Sequence, residues 1–328
     1  MPVSVIRFER GGKIQWGVAR NERVFVIPGE YATTEQFIRA IGCNQDLLAA
    51  GTDEIPRSDI KLLSPITRNQ QFICLGANYR QHMIESGIDP DVKHYNMMFT
   101  KAPGSIVPAD SQLVKPRGVR FLDYEIEVGL VMKKDIRHQV TVSDENLSEF
   151  VAGVVIVNDY SARDIQIPQM QFYKGKSFRT FAPVGPILCL LQPGEMNYLK
   201  QLRLTLSVNG EVRQSDTTAN LVNGPAQTLT ELSAVHDLAP GDLIATGTPS
   251  GCALAVPSPF KQRLFAALPE ATKWRLFFKV QARRTQYLKP GDVIESQIRS
   301  SDGVVDLGMQ RNVVVEEAAC QSAHSQTS

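Results

Sequence analysis

A strand-rich, mixed α/β fold is what this 328-residue sequence predicts, and three observations carry that reading. Short runs of strand-type residues, bounded by proline and glycine, recur along most of the chain. Asn209-Gly210 falls between the apolar-alternating residues 204–208 and residues 211–214, the signature of a two-residue type I′ hairpin. Long amphipathic helices do not alternate with these strands, so a doubly wound parallel sheet is disfavoured.

In chain order, residues 3–8 read as a strand, Gly11-Gly12 as a turn, and residues 14–19 and 24–27 as further short strands. Residues 34–41 predict a helix capped by Thr33 or Thr34 and stopped by Gly42. With Pro56 and residues 62–66 closing this part, residues 1–67 are expected to form a small N-terminal domain and residues 68–317 the main one. Residues 72–75 form a buried-type strand ending at Gly76, and residues 78–86 predict a short helix stopped by Gly87. On that helix His82 and Glu85 share a face. A carboxylate beside an imidazole raises its basicity and fixes its tautomer, as a general base requires; an exposed pair of no chemical consequence has the same spacing. Residues 88–110 form a long excursion through Phe99-Thr-Lys-Ala-Pro103.

Residues 121–132 carry the densest chemistry. Side chains alternate across a strand, which places Asp123, Glu125 and Glu127 on one face. Carboxylates that close at the edge of a core repel one another unless they are solvated, protonated or bound to a cation. The stretch is therefore either a wet sheet edge or part of a divalent-metal site that needs a further ligand. Residues 150–157 are apolar on both faces, a strand buried on both sides, and they end in Asn158-Asp159. Residues 161–164 match a capping box for a following helix, so Asp159 is either a helix cap or a ligand at the mouth of the strand.

Farther on, strands are expected around residues 188–191 and 202–208. Pro240-Gly241 and Pro290-Gly291 suit type II turns, each launching a strand. The Gly/Thr-rich loop at 245–251 can offer backbone N–H groups to an anion. Residues 252–287 read as an inserted segment with a helix over 261–268 and a strand over 273–280, and residues 318–328 as a disordered tail.

Composition narrows the function. The chain is 43% hydrophobic and 21% charged with a net charge of +1, which argues against nucleic acid or an anionic membrane as partner. No stretch reaches the apolar length of a membrane span, and the N-terminus has no signal-peptide core. Cys43, Cys74, Cys189, Cys252 and Cys320 are scattered, odd in number and without a CxxC pair, as expected of reduced thiols in a cytoplasm, and a structural zinc site is disfavoured. The GxSxG, Walker A, GxGxxG and HExxH patterns are absent.

The ordered set of Gly76-Ala-Asn-Tyr-Arg-Gln-His82 with Glu85, Phe99-Thr-Lys101, Asp123-Tyr-Glu-Ile-Glu127, Asn158-Asp-Tyr-Ser-Ala-Arg-Asp164, Lys176-Ser-Phe, Pro183-Val-Gly-Pro186, Val208-Asn-Gly210 and Thr246-Gly-Thr-Pro-Ser-Gly251 resembles the fumarylacetoacetate hydrolase family. The likeness covers roughly residues 70–251 and resumes at residues 288–292. It implies a rolled, mixed β-structure for the main domain and a homodimer. It implies a divalent metal, Mg2+ first and Mn2+ or Ca2+ as options, held by Glu125, Glu127 and Asp159, with Asp123 beside the ligand set but outside it. Three hard oxygen donors without His or Cys agree with those ions. By position, His82 and Glu85 match a water-activating dyad on a lid, Lys176 an active-site lysine, and Gln166, Thr248, Tyr160 and Arg80 substrate contacts. The implied substrate is a small 2-oxo acid or β-diketo acid. The leading expectation is metal-dependent hydrolysis of a C–C bond in an acylpyruvate through a stabilised enolate. Oxaloacetate decarboxylation, 2-oxo-alkenoate hydration and enol–keto isomerisation are alternatives on the same site, and a non-catalytic metal-binding protein is the alternative from another class.

Overall fold

The computed structural model describes residues 1–51, 53–92, 95–255 and 268–318. The first strands are β1 (Val3–Arg10), β2 (Lys13–Arg20), β3 (Arg23–Val26), β4 (Glu54–Pro56) and β5 (Lys61–Leu63), with helix α1 (Thr34–Cys43) between β3 and β4. Then come β6 (Phe72–Gly76), α2 (Arg80–Glu85), β7 (Met97–Thr100), β8 (Ile106–Val107), β9 (Asp110–Lys115), β10 (Leu122–Asp123), β11 (Ile126–Met132) and β12 (Val151–Asn158). The second half holds β13 (Ser161–Ala162), α3 (Arg163–Gln169), α4 (Phe172–Lys176), β14 (Ala182–Pro183), β15 (Leu188–Leu190), β16 (Leu202–Val208) and β17 (Glu211–Thr217). The last elements are α5 (Pro225–Ser233), β18 (Leu243–Ala245), α6 (Glu270–Gln281), β19 (Val293–Ser300) and β20 (Asp306–Glu316). The strand-rich mixed α/β class is the one the sequence predicts.

The elements form layers. An eleven-stranded sheet runs β4-β3-β2-β1-β15-β12-β11-β18-β6-β7, with β5 also on β1, and a five-stranded sheet runs β17-β16-β19-β20-β9. Leu202, Leu204, Leu206, Ile294 and Ile298 of the second sheet share one core with Val128, Leu130, Val154 and Ile156 of the first. On the other face of the first sheet, Val131, Val155 and Val157 pack with Trp16, Phe37 and Ile38. The continuous apolar run of β12 is thus explained: its alternate side chains fill two different cores.

The strands of the N-terminal part join the main sheet. β1 pairs with β15, so residues 1–67 extend the central sheet and have no sheet of their own. The pairing joins residues more than 180 positions apart, Val5 with Leu188, which no local pattern announces. Helix α1 keeps its predicted start, with Thr33 as N-cap in a capping box with Gln36. Gly42 lies inside the helix, and Asn44 ends it.

The acidic stretch is also not one continuous strand. β10 pairs with β13, β11 pairs with β12, and the chain crosses from one ladder to the other at Tyr124-Glu125. Side-chain amides take up the backbone donors at this break. Glu125 N donates to Asn158 Oδ1 (3.0 Å) and Ile126 N to Gln214 Oε1 (3.1 Å). Nor is there a capping box at 161–164. Asp164 accepts instead from Arg120 N, and Ser161 Oγ donates to the Asp159 carbonyl.

Residues 273–280 are helical, within α6. Their aromatic and apolar content reads as a strand, but Trp274, Phe277, Phe278 and Gln281 recur at helical spacing, and Phe277 and Phe278 pack on Phe121. The expected helix over 261–268 lies, but for its last residue, outside the described residues, as does the 319–328 part of the tail. The Pro-Gly turns have Gly241 and Gly291 in the left-handed region (φ 87° and 94°), as type II geometry requires.

Gly153 is the tightest point of the central sheet. A Cβ there would sit 2.1 Å from the backbone oxygen of Cys189 on β15, and that oxygen cannot swing away. Gly153→Ala is expected to lower the free energy of unfolding by about 3 kcal/mol or more, read from a denaturant titration.

Candidate metal centre and active site

The site is built where β11 begins and β12 ends. Because the two strands are antiparallel with Ile126 opposite Asn158, Glu125, Glu127 and Asp159 are brought to one place, and Asp159 N donates to the Glu125 carbonyl (2.8 Å). One carboxylate oxygen from each of the three lies within 4.8 Å of the others, and all three side chains are buried. These are the three residues that the family resemblance implies as metal ligands.

Three buried cations surround it. Lys176 Nζ lies 2.7 Å from Glu125 Oε2 and also donates to Asp159 Oδ2. Lys101 Nζ donates to Asp159 Oδ1 and to the carbonyls of Tyr160 (3.2 Å) and Phe181 (3.0 Å). Arg163 donates to Asp123 Oδ2 (2.8 Å), to Gln166 Oε1 (2.8 Å) and to Glu125 Oε1. Sequence reasoning passed over Lys101 and Arg163. A signal was available: carboxylates clustered at a core must find counter-charges, and both residues stand in the motifs that carry the family resemblance.

With Asp123, the cluster holds four buried carboxylates against three cations, one negative charge in excess. The excess is concentrated on Glu127. It accepts one hydrogen bond, from Gly247 N (2.8 Å), and makes no ion pair among the described residues. Burial, and then the charges of Asp159 and Glu125, push its carboxyl well above the usual range. Glu125 goes the other way. Burial raises it, but Arg163 and Lys176 outweigh that and hold it at about 2. For Lys176, burial opposes ionisation, yet Asp159 and Glu125 keep the ammonium charged. These residues fit a divalent cation: hard oxygen donors, a shared oxygen-lined point, and one carboxylate whose charge the protein leaves uncompensated. The loop at 245–251 does present a backbone N–H to an anion, and the anion is Glu127 itself.

A cavity of about 200 Å³ opens onto Glu125 and Glu127 of the triad. Its polar end is formed by His82, Glu125, Glu127, Arg163, Gln166, Lys176 and Thr248; Met97, Phe99, Ile167, Phe172 and Leu254 form an apolar wall. It is smaller than the roughly 300–1,000 Å³ that drug-sized ligands occupy, so it suits a ligand of a few carbons. Thr248 is buried, with its hydroxyl donating to the Ile126 carbonyl (3.0 Å) and accepting from Gln214.

The other expected contacts are placed differently. Tyr160, between β12 and β13, is fully buried and does not line the cavity; its hydroxyl lies 3.1 Å from Asn312 Oδ1. Arg80 is exposed, paired with Asp91 (2.8 Å), and borders a separate cleft. Glu85 is also exposed. It accepts from Gln81 (3.2 Å), and no hydrogen bond joins it to His82 among the described residues. Burial lowers the pKa of His82 more than Glu125 and Glu85 raise it, which makes its imidazole neutral at pH 7.

The profile of the fumarylacetoacetate (FAA) hydrolase C-terminal domain matches residues 71–315. The chain belongs to this family. Among curated relatives, oxaloacetate tautomerase YisK of Bacillus subtilis (strain 168) is 37% identical over 201 residues, 59% of this chain and 64% of the tautomerase. The aligned stretch thus spans a little under two thirds of that relative's length. A 2,4-didehydro-3-deoxy-L-rhamnonate hydrolase of Sphingomonas sp. (strain SKA58) is 33% identical over 253 residues, 77% of this chain and 75% of the hydrolase. Among solved structures, the fumarylacetoacetate hydrolase of psychrophilic Exiguobacterium antarcticum superposes with a TM-score of 0.72 at 28% identity, covering 96% of this chain and all of that one. The family's members thus include tautomerases and hydrolases. Among the described residues, no helix is long and apolar enough to cross a membrane.

Proposed function

We propose that the protein interconverts the enol and keto forms of a small 2-oxo acid of the oxaloacetate type, with Mg2+ held by Glu125, Glu127 and Asp159. The observation that carries this reading is the placement of His82. Its neutral imidazole borders the cavity beside the carboxylates, and among the described residues no hydrogen bond joins it to Glu85 to arm it for activating water. Tautomerisation needs a proton moved between carbon and a base, and no water molecule is consumed. The tautomerase relative supports the same choice.

When bound, a hard divalent cation supplies Lewis acidity at the 2-oxo group. The chain's own residues do the rest. Arg163 and Lys176 hold the acid's negative oxygens at the polar end, and Lys176 stays charged to stabilise the enolate. In the keto-to-enol direction a neutral His82 ring nitrogen takes the proton from the carbon next to the carbonyl and delivers it to the carbonyl oxygen, and in the reverse direction it takes the enol O–H proton and delivers it to that carbon. The apolar wall of Met97, Phe99, Ile167, Phe172 and Leu254 keeps bulk water from the carbanion.

Hydrolytic C–C cleavage of an acylpyruvate is the second reading, favoured by the hydrolase relative and the apolar wall. The test is a panel of oxaloacetate and acylpyruvates with Mg2+, run on the parent and on His82→Asn. The tautomerase reading predicts enol–keto turnover of oxaloacetate, lowered roughly 10²–10⁴-fold by His82→Asn with metal binding retained. Cleavage of acylpyruvates with no acceleration of the oxaloacetate enol would replace it by the second reading. Because burial lowers the His82 pKa, the rate should stay level through neutral pH and fall only below the ordinary imidazole value of about 6.5. The same reading takes the protein as a homodimer in solution.

A further inference from the structure

The segment after Gly251 reaches the site by a route that the motifs do not show. Asp123 is fully buried, and its carboxylate accepts from Ala253 N (2.7 Å) and Leu254 N (2.9 Å) while it holds Arg163 Nε. The backbone of those donors is gripped from α6 and the turn after it. Gln281 Nε2 donates to the Ala255 carbonyl (2.8 Å), and Arg284 Nε to the Ala253 carbonyl (2.5 Å). Gln281 is itself buried and accepts from Tyr287 Oη (2.7 Å), and the Tyr287 ring stacks on Phe121, two residues before Asp123. A chain of contacts therefore runs from α6 through residues 253–255 to Asp123, Arg163 and Glu125. Leu254, in the same grip, is part of the cavity wall.

A guanidinium has five N–H groups, and three are spent on Asp123, Gln166 and Glu125. The remaining two, one on each terminal nitrogen, can pair with a ligand carboxylate only if the plane of the group is fixed. Asp123 fixes it at Nε, and Asp123 is in turn aimed by the two amides.

We propose that Gln281 and Arg284 are positioning residues that act through the 253–255 backbone and Asp123 to orient Arg163 toward substrate, and that Leu254 sets the length of substrate the cavity admits. The second half rests on the reading of the site as one for small 2-oxo acids. Among the described residues, Gln281, Arg284 and Leu254 make no hydrogen bond or ion pair with Glu125, Glu127 or Asp159, so ion binding and ligand binding should separate.

The full-length protein is compared with Gln281→Leu/Arg284→Met, Arg284→Lys and Leu254→Ala. Calorimetry reads Mn2+ binding, then oxalate binding to the Mn2+-loaded protein, oxalate being a planar dianion that presents two chelating oxygens. The double variant should keep the parent's Mn2+ affinity, bind oxalate about tenfold more weakly, and raise KM about tenfold with kcat held. Arg284→Lys, which retains a donor, should stay near the parent even if the double variant folds poorly. Leu254→Ala should leave oxalate affinity alone and lower KM for 2-oxo acids longer by a few carbons. Parent-like oxalate affinity in a folded double variant would overturn the positioning role. So would an equal fall in Mn2+ affinity, or Arg284→Lys as impaired as the double variant. Unchanged KM for longer acids in Leu254→Ala would overturn the role of Leu254. If the parent turns over no 2-oxo acid, the proposed reaction fails, and the oxalate comparison still decides the clamp.

Discussion

Replacing Glu127 by glutamine is expected to cut turnover by roughly 10²–10³-fold and to weaken Mg2+ or Mn2+ binding in parallel, without destabilising the metal-free protein. The reason lies in how differently the three ligands are compensated. Glu125 has Arg163 and Lys176, and Asp159 has Lys176 and Lys101. Glu127 has one backbone N–H and is buried. An uncompensated buried carboxylate gains most from a divalent cation and costs most without one. The consequence for pH has a definite sign. Glu127's pKa is raised in the folded state, so the folded protein binds a proton that the unfolded chain releases near its ordinary value of about 4.3. The stability this contributes is complete below that value and is lost as pH rises toward the raised folded value. Metal-free protein should therefore melt at a lower temperature at pH 8 than at pH 6. Saturating Mg2+ should remove much of that slope, and Glu127→Gln should flatten it without metal.

Lys101→Met is expected to act on the opposite side of the balance. It takes away a fully buried ammonium that holds Asp159 and two backbone carbonyls, and leaves those acceptors without their donor. Breaking such a buried pair costs about 3–5 kcal/mol, and a urea titration of the metal-free protein should show a loss of that size. Metal affinity should fall as well, because Asp159 would be free to turn from the position that β12 and Lys101 give it. A parent-like titration midpoint would mean that Lys176 alone suffices to hold Asp159.

These two predictions also mark how far the sequence could be read. Strand parity and strand ends left Glu125 and Glu127 as either a wet edge or a metal site and Asp159 as either a cap or a ligand, and it was the family resemblance that implied all three as ligands. The turns at Asn209-Gly210, Gly241 and Gly291 were legible because turn geometry is a local property. Lys101 was not, since a lysine after a short strand looks like any solvated lysine until the fold closes over it. Asp123 was expected beside the ligand set, and the amides it accepts from, Ala253 and Leu254, come from 130 and 131 positions away. α6 was misread because aromatic residues favour strands, and its period of 3.6 shows only when Trp274, Phe277, Phe278 and Gln281 are counted together. The pairing of β1 with β15, which merges the N-terminal part into the central sheet, is a long-range choice among several compatible edges.

The central claim is that the Glu125, Glu127 and Asp159 triad, loaded with a divalent cation, drives proton transfer on a small 2-oxo acid. Its most direct test is the ultraviolet absorbance of the oxaloacetate enol, followed with parent protein in Mg2+, after removal of the ion with EDTA, and after Mg2+ is restored. The account predicts rapid decay of the enol signal in Mg2+, decay at the uncatalysed rate in EDTA, and full recovery on restoration. Undiminished catalysis in EDTA, or none in either metal state, would contradict it.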